Sequence, residues 1–321
     1  MPGAEIIFEW RQDSKKIGFD FRTSWRDSFI NIYDQIWAAI NARNIQIPLQ
    51  QGFVQRTIWA FDEKSIREAL LNAVTHRDYS YSNRSIFIKA SPEAFYIESP
   101  GGFVPPVTIE NILTKSVWRN RKLAETLEKA GLVERSGQGM DDIYEITIRD
   151  GKGSPDLSGS DPTTVKLTIP AQIEDPKFIV FLEKVAEEKS LTFTVQEVYE
   201  LENVRRLQII SDTIHKEKFL KQGIIENLGR GRGSKYILSH SYYQHEGRPG
   251  LHSRLIGTSR EEKKILILNH LKRNPKGYMK DFKDIFPELK AKDITNILQE
   301  LKSAGKIKFS GESSAGWWES A

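Results

Sequence analysis

The run SIREALLNAVTHRDYS, residues 65–80, constrains this chain more than any other segment. Glu68, Asn72 and His76 recur at four-residue spacing, so at roughly 100° per residue they share one stripe of a helix. Ile66, Leu70, Ala73 and Val74 fall on a nearly opposite stripe. Such a helix can bury one face in a core while the other directs an acid, an amide and an imidazole at a ligand. Those groups suit, in turn, polarising a water, ligating Mg²⁺ and contacting a phosphate. On spacing alone, an exposed polar stripe carrying an i,i+4 ladder is the plainer reading, and what lies downstream has to decide between the two.

The rest of the first half mixes helices and strands. Phe29, Ile32, Ile36 and Ile40 predict a helix over 25–41, and Ile45–Leu49 and Phe53–Trp59 predict short strands. Asp62 or Ser65 is the expected cap of the Glu68 helix. Ser85–Lys89 and Ala94–Glu98 predict a β-pair, broken by SPGGF at 99–103. Helices are expected over 109–113, 121–130 and from 140 to about 148, and a closing strand over 164–169. Interleaving of this kind predicts an α+β domain over 1–170.

Two glycine signals follow the polar helix. Gly101 and Gly102 stand at the end of the strand Ala94–Glu98, and Gly137 and Gly139 stand just before the helix starting at Met140. Phosphate binding needs close backbone approach and open amides at a helix start, which glycine permits. Either signal alone is usually just a turn. No GxxxxGK[ST] occurs, so a P-loop is excluded.

The character changes after residue 170. Phe178, Val180, Leu182 and Val185 predict a helix, Thr194 can cap the next, and a long helix is expected from Val204 to about Lys221. GIIENLGRGRGSKYILS then reads as two strands around a basic tip. Helix–helix–helix–hairpin is a winged-helix layout. It recurs in helices over 260–273, 279–286 and 290–304, and in the hairpin GKIKFSGESSAGWWES. The expected organisation is a first winged helix at 171–243, a linker at 244–257 and a second winged helix at 258–321. Net charge is −1 over residues 1–170 and +5 over 171–321, which leans towards an acidic partner for the second half.

Composition narrows the chemistry. The chain has 321 residues and no cysteine, which removes disulfides, thiolate nucleophiles and thiolate zinc sites. Its six histidines show no metal-site spacing. No run of 18 apolar residues is present, so no membrane span is expected, and the start lacks a signal-peptide pattern. A cytoplasmic protein is expected.

The order of the motifs is more specific than any one of them: a polar ExxxNxxxH helix, a strand ending in a glycine turn, then a GxG loop opening a helix. This resembles the Bergerat ATP-binding fold of the GHKL superfamily, shared by gyrase and histidine kinases. More narrowly, REALLNAVTHRDYS, ESPGGF, RNRKLAETLEKAGLVERSGQGMDDI and the two appended winged helices resemble bacterial ATP-binding proteins assigned as transcriptional regulators. The ATPase region of that family is labelled RecG-like C-terminal. A Schlafen-type AlbA domain commonly precedes it, and this chain starts where such a domain would end. The resemblance implies a Bergerat-type helix/sheet sandwich that binds ATP and Mg²⁺. It implies Glu68 as the general base that orients water, Asn72 as the Mg²⁺ ligand, and His76 and Arg77 near the phosphates. Gly101 and Gly102 would lie under the adenine or ribose, Gly137 and Gly139 would supply phosphate-binding amides, and Asn120 would stand nearby. Arg77 and Asp78 also admit a humbler reading as a local ion pair.

One position departs from the superfamily pattern. Its adenine-reading Asp ahead of the glycine turn is Ser99 here, preceded by Glu98. Either Glu98 substitutes or the base is read differently. In the second half, Arg205, Arg206, Gln208 and Lys216 are the expected DNA-facing residues of the third helix, and Arg230, Arg232 and Lys235 arm the wing. The leading expectation is a nucleotide-responsive DNA-binding protein, a transcriptional regulator, with a homodimer plausible from paired half-sites. The alternatives are a DNA- or partner-stimulated ATPase of the helicase-associated or defence type, and a nucleotide-free interaction scaffold.

Overall fold

The computed structural model describes all residues except 1–4, 16, 52–53, 133–138, 229–233, 246–259, 288 and 312–315. It falls into two compact units. The first comprises Met1–Ile179 with Thr192–Glu202, the second Val180–Leu191 with Asn203–Ala321. Elements are mixed α+β, and no described helix is long and apolar enough to cross a membrane.

The first unit is built on a five-stranded sheet in the order β2-β1-β5-β6-β7. Two of its strands, β1 (Ile6–Trp10) and β2 (Phe21–Trp25), lie where no strand was expected. In β1, Ile6, Phe8, Glu9 and Trp10 are all buried, so the apolar–polar alternation that signals a strand is missing. Glu9 is kept there by ion pairs with Arg11 (3.2 Å) and Arg22 (3.3 Å). β1 runs antiparallel to β2 and parallel to β5 (Ile86–Ala90). β6 (Ala94–Pro100) pairs antiparallel with both β5 and β7 (Thr164–Pro170).

Helix α1 spans Phe29–Asn41, starting four residues later than its periodicity predicts because Trp25 closes β2. α2 (Glu63–Thr75) and α4 (Gly139–Arg149) pack with α1 into one apolar cluster. There Ile36, Ile66 and Leu70 meet Phe8, Ile88 and Phe95 of the sheet. α3 spans Arg121–Lys129. The helix expected at 109–113 is a single 3₁₀ turn, Ile109–Asn111, because Asn111 folds back to cap it through Thr108 N. β3 (Gln46–Gln51) and β4 (Val54–Trp59) form a separate hairpin, whose Leu49 and Ile58 cluster with Ile179.

Further along come α5 (Pro176–Lys189), α6 (Val195–Leu207) and α7 (Thr213–Lys221). Thr194 and Glu197 close a reciprocal capping box at the start of α6. The single helix expected from Val204 to Lys221 is corrected by the structure. It stops at Leu207, Gln208 adopts φ +60°, and α7 restarts after Asp212, whose carboxylate accepts His215 N–H at 2.8 Å. An N-cap of that strength favours ending one helix and opening another. The hairpin β8 (Ile225–Leu228) and β9 (Lys235–Leu238) follows, then α8 (His240–His245), which enters the expected linker.

The C-terminal elements are α9 (Arg260–Arg273), α10 (Met279–Ile285), α11 (Ala291–Ser303) and the hairpin β10 (Ile307–Ser310) and β11 (Trp317–Ser320). Their apolar faces share one core, in which Trp318 packs with Ile267, Phe282 and Leu298. Trp317 lies instead beside Lys276, whose ammonium sits 4.2 Å from its ring centroid.

Candidate functional site

The candidate site is organised by α2. Asp62 caps its start, accepting Ser65 N–H at 2.9 Å. Ile66, Leu70, Ala73 and Val74 are buried as the stripe predicts, and Glu68, Asn72 and His76 are half-buried. The carbonyls left open by the last turn of α2 are each given a side-chain donor. Ser99 Oγ donates to Ala73 O at 2.7 Å, Tyr79 OH to Val74 O at 3.1 Å, and Asn120 Nδ2 to Thr75 O at 2.9 Å. The helix end is thereby locked to β6 and to the start of α3.

A cleft of about 1320 Å³, open mouth included, runs along the polar stripe. Glu68, Asn72 and His76 line it together with Ser99, Gly101, Gly102 and Gly139. Seven of the expected site residues therefore meet in one place, drawn from α2, the end of β6 and the start of α4. The walls are mostly apolar, with Ile97, Val165 and Leu167 among them. Eight residues of helix separate Glu68 from His76, about 12 Å along the axis, so the two serve different parts of any ligand.

The glycines have distinct reasons. Gly139 opens α4 directly against the polar stripe: a Cβ there would overlap Glu68 Oε2 and stand 3.2 Å from Asn72 Nδ2. Gly101 has φ +102°, and a Cβ there would stand only 2.7 Å from Asp78 Cβ. At Gly102 the space is taken by the carbonyl of Pro162. Both line the cleft, yet the close approach that they permit is to their own chain. Gly137 lies outside the described residues.

Three expected site residues do not reach the cleft. Arg77 is only 2% exposed, with Nη2 donating to the carbonyls of Tyr81 and Arg84 and its guanidinium near the Tyr79 ring. It follows the C-cap of α2, where helical spacing no longer sets direction, and it holds the 78–84 loop instead of facing a phosphate. Glu98 alternates away from Ile97 and Ser99 on β6 and accepts from Tyr96 OH at 2.6 Å. Asn120 spends its amide on Thr75 O and Arg77 O, at 2.9 and 2.7 Å. Asp78 pairs with Arg119 at 3.3 Å, so the local pair with Arg77 is replaced by one across 41 residues.

Arg119 had no signal in the sequence. Besides Asp78 it donates to Gly102 O at 2.7 Å, and burial together with its positive charge holds the His76 imidazole below its usual pKa. Asp142 was also missed. It lines the cleft from the first turn of α4, paired with Lys64 at 3.0 Å, and an acid in the first turn of a helix is a legible signal. Burial, followed by the neighbouring Asp142 and Glu145, raises the pKa of Asp141. Asn72 Nδ2 is buried with no hydrogen-bond partner, so a polar donor inside the cleft is left for a ligand.

In the second half the expected DNA-facing residues do not share one helix. Arg205 and Arg206 end α6, Gln208 lies just beyond it, Lys216 sits in α7 and Lys235 opens β9. Arg230 and Arg232 lie outside the described residues.

Residues 83–169 match the family model described as "Putative ATP-dependent DNA helicase recG C-terminal", which identifies an ATPase-type domain in the first unit. The match begins after α2, so Glu68, Asn72 and His76 lie ahead of it. Residues 262–316 match the model described as dissimilatory sulfite reductase D. Among solved structures, the chain is similar to the DIP2311 protein from Corynebacterium diphtheriae, with 16% identity and a TM-score of 0.58 over 99% of this chain and 59% of that one. That likeness is one of fold, and the chain spans about three fifths of that protein's length. No curated protein sequence matches the chain.

Proposed function

We propose that the first unit binds ATP with Mg²⁺ in the α2 cleft, and that this binding biases DNA contact by winged-helix modules at 171–243 and 258–321, as in a transcriptional regulator. The observation that carries the proposal is the convergence of Glu68 and Asn72, from α2, with the glycine start of α4, which lies within the residues matching an ATPase-type family model, on one cleft. A helix N-terminus favours phosphate through open amides and the helix dipole. Glu68 and Asp142 bring carboxylates to the same end. They would repel a bare triphosphate, so the donor set fits a phosphate that arrives with a divalent cation.

Asn72 would ligate that cation through its amide oxygen and Glu68 would orient a water as general base. When bound, Mg²⁺ supplies charge neutralisation on the phosphates. His76, about 12 Å from Glu68 along the helix, belongs with Gly101, Gly102 and Arg119 towards the nucleoside. DNA contact rests on Lys216 and Lys235, with Arg205, Arg206, Arg230 and Arg232 completing the basic set and the neutral Gln208 offering its amide beside them.

Calorimetric titration of the whole chain with ATP and Mg²⁺ tests the reading: saturable binding is expected, and no heat at millimolar nucleotide overturns it. A Glu68 carboxylate in the cleft also favours a second reading, a DNA-stimulated ATPase. DNA-stimulated turnover abolished by Glu68→Gln selects the enzyme. Nucleotide-dependent DNA affinity with negligible turnover selects the switch.

A further inference from the structure

Two turns of α2 face two turns of α4, and the residues that meet there carry charge. Gly139 stands against Glu68 and Asn72. Lys64 lies four residues before Glu68, one turn back on the same stripe, and Asp142 lies three residues after Gly139. The two meet as an ion pair at 3.0 Å. Asp142 lines the cleft, as does Glu68. The first turn of α4 thus holds two acids, Asp141 and Asp142, and acids at a helix start already answer its dipole. A third, Glu145, follows one turn on and pairs with Arg149 at 2.8 Å. The crowding tells on Asp141, whose carboxyl is held above its ordinary range by burial first and then by Asp142 and Glu145. A triphosphate brought to the start of α4 meets this acid face.

We infer that Lys64 sets the charge of the phosphate end of the cleft: it balances Asp142, so that a triphosphate can approach the start of α4, and it acts on the nucleotide through that carboxylate. The inference rests on the proposal that ATP with Mg²⁺ binds here, and names the protein cation that makes the end tolerable to phosphate. The two cleft carboxylates are thereby divided. Asp142 is answered by Lys64, and the divalent ion that arrives with the nucleotide answers to Glu68 and Asn72. One unbalanced charge within about 10 Å of a phosphate is worth about tenfold in affinity at an effective dielectric of about 20.

The test titrates ATP with saturating Mg²⁺ into the whole chain, as wild type, Lys64→Met and the double variant Lys64→Met/Asp142→Asn. Lys64→Met is expected to bind about tenfold more weakly, with the loss shrinking as salt rises. The double variant is expected to recover most of the loss, because no carboxylate is left to balance. A mere tie between α2 and α4 predicts the opposite, since a second substitution cannot restore a broken ion pair. Thermal melting is expected to change little in Lys64→Met, because the lysine side chain is 52% exposed. Wild-type affinity in Lys64→Met, or a double variant as weak as the single, overturns the inference while leaving nucleotide binding intact. Absence of binding by the wild type removes the cleft reading and the inference with it.

Discussion

Gly139, the first residue of α4, lies so close to Glu68 that a Cβ at 139 would overlap the Glu68 carboxylate and stand 3.2 Å from Asn72 Nδ2. A residue 71 positions further along the chain thus sets the shape of the pocket in front of the proposed general base. Gly139→Ala is expected to displace the Glu68 carboxylate, which is the far end of a long, half-buried side chain. The fold should therefore change little, by about 1 kcal/mol or less, while nucleotide affinity falls about tenfold or more from misplacement of groups that must converge. Thermal melting beside calorimetry separates the two effects, and tight binding by the alanine variant would remove Gly139 from the site.

His76 titrates below its ordinary value near 6.5 because of burial first and the Arg119 charge second. Its contribution to stability is fully present above the unfolded pKa and is lost as pH falls through 6.5 towards the lowered folded value. Arg119→Met removes the second cause only. The His76 pKa is therefore expected to rise but to stay below 6.5, followed by NMR of the imidazole resonance assigned through His76→Gln. An unchanged or lowered pKa in Arg119→Met contradicts the assignment.

Asn120 joins the end of α2 to the start of α3 through two carbonyls, Thr75 O and Arg77 O. Asn120→Ala leaves both without that donor and is expected to lower stability by about 2 kcal/mol, read from the denaturant midpoint. An effect of a few tenths, with nucleotide binding lost instead, would return Asn120 to the ligand-contacting set.

Lys216 on α7 and Lys235 at the start of β9 are the described basic residues proposed to meet DNA phosphates beyond α6. Replacing either with alanine should weaken binding uniformly across sequences and reduce the salt slope of log K by about one. Equal slopes for variant and wild type in filter or fluorescence titrations would mean that the module docks something other than DNA.

Much of the first unit is legible locally. The α2 stripe, its Asp62 cap, the β5–β6 pair and β7 follow from periods of 3.6 and 2.0 and from capping chemistry, all set within a few residues. β1 was not, because burial on both faces erases alternation. The break at Gln208 was not, because the cue was a single capping aspartate, Asp212, inside a run with helical periodicity. In the site, the Glu68 stripe was legible as a helix face, and the glycines as close approaches, without their partners.

Sequence by itself determined which side chains stand on one face of α2, since a helix converts spacing into direction without help from the rest of the chain. Tertiary structure decided what that face meets. It brought Gly139 to Glu68, tied Ser99 to Ala73 O, turned Glu98 to the far side of the sheet and buried Arg77 under the 78–84 loop. Those outcomes depend on contacts between residues tens of positions apart, where strand register and packing, not local period, decide which atoms share a cleft.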